Sequence, residues 1–139
     1  MKRVSGIVIP ESTEHVIAAS TFRFAGTYRW VSVRAIGDPA RHLMIARDEK
    51  ETTVVTNDLD DLDVLAVNPD RWMLVSIDCA QPFYCVGFIA KLSTMLSGAG
   101  LDILVLSTFS RDWVFVKEED AARAAGVLRA AGFSDLQSG

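Results

Sequence analysis

The runs WMLVSI at residues 72–77, LDILVLST at 101–108 and WVFVK at 113–117 decide the fold, because a helix-forming segment separates the first two and a second one follows the third. Each run is apolar and rich in branched or aromatic residues, the composition of a strand packed in a sheet. Between the first two lies VGFIAKLSTMLSGAG, residues 86–100, in which Val86, Ile89, Ser93 and Leu96 recur at helical spacing and Gly98 and Gly100 stop the helix. After Lys117-Glu118-Glu119-Asp120, an acidic helix start, a slim alanine-rich helix places Ala121, Ala125 and Leu128 inward and closes at Gly132. The order is βαββα, which predicts an α+β domain with helices on one face of an antiparallel sheet.

Upstream, the same plan recurs in weaker form. FRFAGTYRWVSVRAI, residues 22–36, predicts two short strands flanking Ala25-Gly26. Asp38-Pro39 offers a helix start of a turn or two, with Asp as cap and Pro at the first helical position. HLMIA (42–46) and TTVVT (52–56) read as strands joined by the charged turn Arg47-Asp48-Glu49-Lys50, and Asn57-Asp58 caps a weak helix through Asp63 and Leu65. Asn68-Pro69-Asp70 is the expected linker, since proline biases the residue before it away from helix. The expected division is an N-terminal extension over 1–20, holding one strand at Val4–Ile9, a degenerate unit over 21–68 and a better-formed unit over 69–139.

Composition narrows the function. A chain of 139 residues buries ~70% of the surface its unfolded form exposes, enough for a core without staples. The chain carries 18 Asp and Glu against 14 Lys and Arg, with no basic stripe, so phosphate-backbone binding has little to work with. Two cysteines, Cys79 and Cys85, exclude a disulfide-dense scaffold, match no zinc or thioredoxin spacing, and read as packing residues in a reducing compartment. The short apolar run ended by Pro10 and Glu11 is too short for a signal peptide or a membrane span. A cytoplasmic protein without membrane contact is expected. His15 and His42 lack a sequence-adjacent partner of triad type and read as surface or satisfied histidines. The acidic run Asp58, Asp60, Asp61 and Asp63 lacks the glycine and terminal glutamate of a calcium loop and reads as a solvated helix start. Tyr28, Trp30, Trp72 and Trp113 stand at strand positions and read as core or interface.

Gly87 after Pro82-Phe83-Tyr84, the run LSTFSRDWVFVKEEDAARAAGVLRAAGF and the upstream FRFAGTYRWVSV together resemble tandem ACT-domain proteins. More narrowly they are similar to small bacterial relatives of the CASTOR arginine-sensor family. The resemblance covers residues 22–133, is closest over 100–133, and departs at Ser110-Arg111, where the family carries a small or acidic residue. It implies two ferredoxin-like βαββαβ units, a homodimer, no catalysis, and regulatory binding of an amino acid or similar small metabolite at an interface between ACT units, with a regulated protein as downstream partner. No cofactor or metal is implied.

The residues agree with that expectation. The loop from Asp78 to Val86 leads to a helix N-terminus whose free N–H groups and dipole favour a ligand carboxylate, and Val86, Gly87 and Phe88 stand at that start. At the strand end, Thr108 offers a carbonyl and a hydroxyl, Phe109 an apolar wall, and Asp112 a charge for an ammonium or guanidinium group. Two other functions compete. RDWVFVKEEDAARAA also resembles the third strand and second helix of an RNA-recognition motif, but the glycines flanking that motif's aromatics are missing and Asp112 would repel phosphate. Cys85 at the helix start would suit a thiolate nucleophile, yet no base is placed beside it. An ACT-like interaction domain without ligand remains the third alternative.

Overall fold

A computed structural model describes residues 2–4, 7–9, 13–79 and 87–136. The chain forms two compact units, one built from Met1–Ala25 together with Met73–Gly139 and the other from Gly26–Trp72.

The first unit opens with β1 (Lys2–Val4) and β2 (Ile7–Ile9), an antiparallel pair where a single strand was expected. Helix α1 (Thr13–Ala18) follows, and its Val16 and Ile17 are buried in the unit's core, so the segment expected as an extension is part of the packing. Strand β3 runs unbroken from Thr21 to Ile36 and passes from this unit into the next. Two strands were expected there. Gly26 does not end the strand: it takes a positive φ of 104°, and the Tyr28 ring lies against it, 3.3 Å from where a Cβ would stand.

The unit continues with β7 (Trp72–Asp78), α2 (Phe88–Gly98), β8 (Ile103–Ser107), β9 (Asp112–Lys117), α3 (Ala121–Ala131) and β10 (Ser134–Asp135). In the sheet, β3 is followed by β7, β9 and β8, and β10 adds to β3 in parallel. This is the βαββα order read from 72–133. Alternation along the strands turns Val75 and Ile77 of β7 and Val114 and Val116 of β9 into a core with Leu92 and Leu96 of α2 and Ala124, Ala125 and Leu128 of α3. The buried face of α2 is Phe88, Leu92 and Leu96: of the expected Val86–Ile89–Ser93–Leu96 row Leu96 does face in, whereas Ile89 is 36% exposed and Phe88 and Leu92 take the inward places next to Ile89 and Ser93. Helix α3 ends as expected. Gly132 sits at φ 114° and the Phe133 N–H donates to the Leu128 carbonyl at 3.1 Å, the six-residue closure of a left-handed cap.

The second unit holds the rest of β3, β4 (Met44–Arg47), β5 (Thr52–Thr56) and β6 (Leu62–Val67) in the antiparallel order β4-β5-β3-β6. The turn expected after Asp38-Pro39 forms as a single 3-10 turn, and the helix expected after Asn57-Asp58 shrinks to another. At Pro39–Arg41 the Asp38 carboxylate accepts the Ala40 N–H at 3.0 Å, the cap that Asp-Pro announced. At Leu59–Asp61 the turn is followed directly by β6, where a helix through Leu65 was expected. Pairing with β3 satisfies the backbone of this stretch, and Leu62 and Val67 join Ile36 and Leu59 around buried Val31, Val33 and Val54. The Asp48 carboxylate ties the β4–β5 turn by accepting the N–H groups of Lys50 and Glu51 at 2.8 and 2.9 Å. Asn68 is an anchor as well as a connector: its side-chain oxygen accepts from the Asp70 N–H and the Trp72 indole.

Candidate functional site

A strand, a helix and a second strand of one sheet, with another strand between them, make a crossover that leaves the two strands parallel. By that rule β7 and β8 end at the same sheet edge, which carries both the start of α2 and the turn from β8 to β9. The six expected site residues all belong to this edge in sequence, but the structure gives them different parts.

Val86 lies outside the described residues. Gly87 precedes α2 at φ 84°, and its carbonyl accepts the Lys91 N–H at 2.9 Å as the helix begins. Among the described residues a Cβ there would meet nothing within 4 Å, so the glycine answers to its backbone conformation. Phe88 is core: it is 3% exposed, with its ring edge-on to Phe133 at 5.9 Å between centroids.

Thr108 is used within the hairpin turn. Its N–H donates to the Arg111 carbonyl at 2.8 Å, and its hydroxyl accepts the Arg111 N–H at 3.1 Å. Phe109 at the tip is 88% exposed, so it projects from the turn where a pocket wall was expected. Asp112 is the unusual member. It opens β9 at 4% exposure, and its Oδ1 accepts the Ser107 hydroxyl at 2.6 Å from the facing position on β8. A carboxylate withdrawn from water needs donors or a cation, and among the described residues it has that single hydroxyl. Ser107 escaped the sequence reading, although its place opposite Asp112 follows from a four-residue turn at Thr108–Arg111. Cys79 is buried in the core of the first unit, as a packing residue should be; Cys85 lies outside the described residues.

A second polar cluster holds the other unit together. The buried His42 ring meets Thr56 Oγ1 at 2.7 Å through Nδ1 and Asp61 Oδ2 at 2.7 Å through Nε2. Asp61 also accepts the Asp38 N–H at 2.8 Å and faces the Arg41 guanidinium at 3.4 Å. His42 therefore has the acidic partner its sequence neighbours did not supply, and Asp61 is an organising acceptor where a solvated helix start was expected. The order Thr, His, Asp has the connectivity of a hydrolytic triad. Thr56 is fully buried, however, and its hydroxyl already accepts the Asp58 N–H at 2.9 Å, so no substrate carbonyl can reach it. The cluster braces the two 3-10 turns.

The Asp38 N–H, then the His42 ring and Arg41, hold the Asp61 carboxyl below its ordinary pKa. A carboxyl depressed by folding contributes stability that is fully present above its unfolded pKa of about 3.9 and lost as pH falls through the folded value. Urea midpoints measured from pH 7 down into that acid range should therefore fall less steeply in Asp61→Asn than in the parent. Parallel acid limbs would remove the assignment. Among the described residues no cluster of His, Cys, Asp and Glu is arranged to hold a metal ion, and no helix is long and apolar enough to cross a membrane.

Residues 67–130 match the ACT domain family. The fold is of the ACT type, α+β with an antiparallel sheet and helices, and solved structures share it along most of the chain. The Agrobacterium tumefaciens protein Atu0741 is 27% identical, with a TM-score of 0.68, over 84% of this chain and 92% of that one. VC0802 from Vibrio cholerae, a protein of unknown function, is 20% identical with a TM-score of 0.68, over 87% and 96%. The regulatory subunit of aspartate kinase from Thermus thermophilus is 16% identical with a TM-score of 0.57, over 79% and 95%. No curated protein matches the chain in sequence.

Proposed function

We propose that this protein is a non-catalytic regulatory module, a tandem ACT-type pair that forms a homodimer and binds an amino acid or similar small metabolite at an interface between ACT units of its two copies. The observation that carries this reading is Asp112, a buried carboxylate with one hydroxyl donor among the described residues, on the sheet edge where α2 begins. Such a carboxylate suits a ligand ammonium or guanidinium, while the first N–H groups of α2 and its dipole suit a ligand carboxylate. Together they would read both charges of an α-amino acid. Strand β8 ends the strand order with Val105 and Leu106 38% and 36% exposed, which supports pairing of this edge with a second copy. A regulatory role agrees with the likeness in fold to an aspartate kinase regulatory subunit.

A thermal-shift screen against the twenty common amino acids tests the reading, followed by calorimetry on the best binder. A ligand at a hundredfold excess over its Kd adds about 2.7 kcal/mol to the folded state, a shift of several degrees. Asp112→Asn keeps an acceptor for Ser107 but removes the charge, and is expected to weaken binding at least roughly tenfold. Sedimentation of the same samples should show a dimer. No stabilising amino acid, or an unchanged Kd in Asp112→Asn, would count against the proposal.

A further inference from the structure

The Gly26–Trp72 unit has the sheet of its fold without the helices. Ile36, Leu59, Leu62 and Val67 pack over its buried Val31, Val33 and Val54, and the same sheet face continues outward onto β4 and β5. Register defines that continuation: Thr52 pairs with Val33 on one side and with Arg47 on the other, and Val54 pairs with Val31 and Ile45. Over this row lies a cavity of about 320 Å³ with Val33, Ile36, Pro39 and Ile45 as its apolar lining. That volume is at the lower end of small-molecule sites.

The polar groups of the cavity are one-sided. Arg34, Arg47 and Thr52 line it, and among the described residues no Asp or Glu does. Arg34 is committed, with its Nη1 3.3 Å from Asp63 Oδ2. Arg47 differs: its Nε donates to the Thr52 hydroxyl at 3.3 Å, which orients the guanidinium, and its two terminal nitrogens have no partner among the described residues. A guanidinium fixed at one nitrogen and open at the other two is a fork for a carboxylate. An α-amino acid fits this site less well, because its ammonium, next to the carboxylate, would stand beside the guanidinium groups of the lining with no acidic side chain of that lining to offset them.

We propose that this cavity is a second ligand site, which takes a small monocarboxylate with an apolar body and no ammonium group, of the class of the branched-chain 2-oxo acids. The carboxylate binds the open edge of Arg47 and the apolar body lies on Val33, Ile36 and Ile45. This site is built from the second unit alone and does not depend on the amino-acid site proposed for the first.

The test is a titration of the full chain with 4-methyl-2-oxopentanoate, followed by methyl resonances, with leucine as the matched amino acid. Saturable shifts are expected at Val33, Ile36 and Ile45, with leucine at least roughly tenfold weaker. Arg47→Gln, on an exposed strand residue, should weaken the oxo acid by roughly tenfold or more. Ile45→Trp, which fills the cavity and leaves Arg47 in place, should do the same. The absence of saturable shifts up to about 10 mM, equal affinity in Arg47→Gln, or leucine binding as tightly as the oxo acid would each overturn the proposal.

Discussion

Leu92→Ala is expected to lower the unfolding free energy by about 3 kcal/mol, within the range of 2–5 kcal/mol for truncating a closed core site. Leu92 is fully buried at the middle of α2, among Val75, Ile77, Leu96, Val114 and Leu128 of the same cluster. The walls of that site come from the sheet and from α3, whose alanines already bring its backbone close, so the space left by the leucine cannot collapse easily. Ile89, three residues earlier and 36% exposed, is the natural control, and its alanine variant should lose less than about 1 kcal/mol. Urea titration of both variants gives the answer. Similar losses at the two positions would mean that the inward face of α2 is not Phe88, Leu92 and Leu96.

Gly37→Ala is expected to cost about 3 kcal/mol, at the upper end of what overpacking usually removes. The reason is space. A methyl group on Gly37 would fall inside van der Waals contact of Asp61 Oδ1, 2.9 Å from its Cγ and 3.1 Å from its backbone oxygen. Asp61 cannot swing away freely, because it accepts from the Asp38 N–H and the buried His42 ring, and the Gly37 N–H itself donates to the Asp61 carbonyl at 2.9 Å. Any relief breaks one of these bonds inside a buried cluster. The variant should therefore show both a lower urea midpoint and an altered His42 imidazole resonance. A stable Gly37→Ala with an unmoved His42 signal would show that the turn yields without disturbing the cluster.

The second half of the chain was the more legible because its signals are local and redundant. Continuous apolar runs rich in branched and aromatic residues make β7, β8 and β9 readable, and glycines at 98, 100 and 132 mark where helices stop. The slip at α2 came from choosing among apolar residues that all recur near 3.6, where only packing against α3 and the sheet decides that Phe88 and not Ile89 faces in. In the first half, β6 was read as helix because Asp58–Asp63 look like a helix start, and the partner strand that claims the segment lies some thirty residues upstream. The site divided in the same way. Asp112 is a candidate by its charge at a strand start, but its burial and its bond to Ser107 belong to strand pairing. Phe109 was assigned to a wall because an aromatic beside a strand is usually covered, and nothing in its neighbours announces an exposed tip. The His42–Asp61 cluster joins residues nineteen positions apart, beyond the reach of a motif. The cavity over Arg47 needs three strands in register before it exists at all.

The interruption of the first unit by the second has a consequence for how the protein is made. During synthesis, every residue of Gly26–Trp72 leaves the ribosome in one continuous piece, so that unit can close on short-range hairpin contacts as soon as its last strand is free. Val16, Ile17 and Phe22 emerge earlier yet have nothing to bury against until β7, α2, β9 and α3 have followed, most of the chain later. These side chains, made before the unit that closes first, are thus the ones that wait longest uncovered. A pause in translation anywhere after residue 72 would prolong that exposure without affecting the unit already finished.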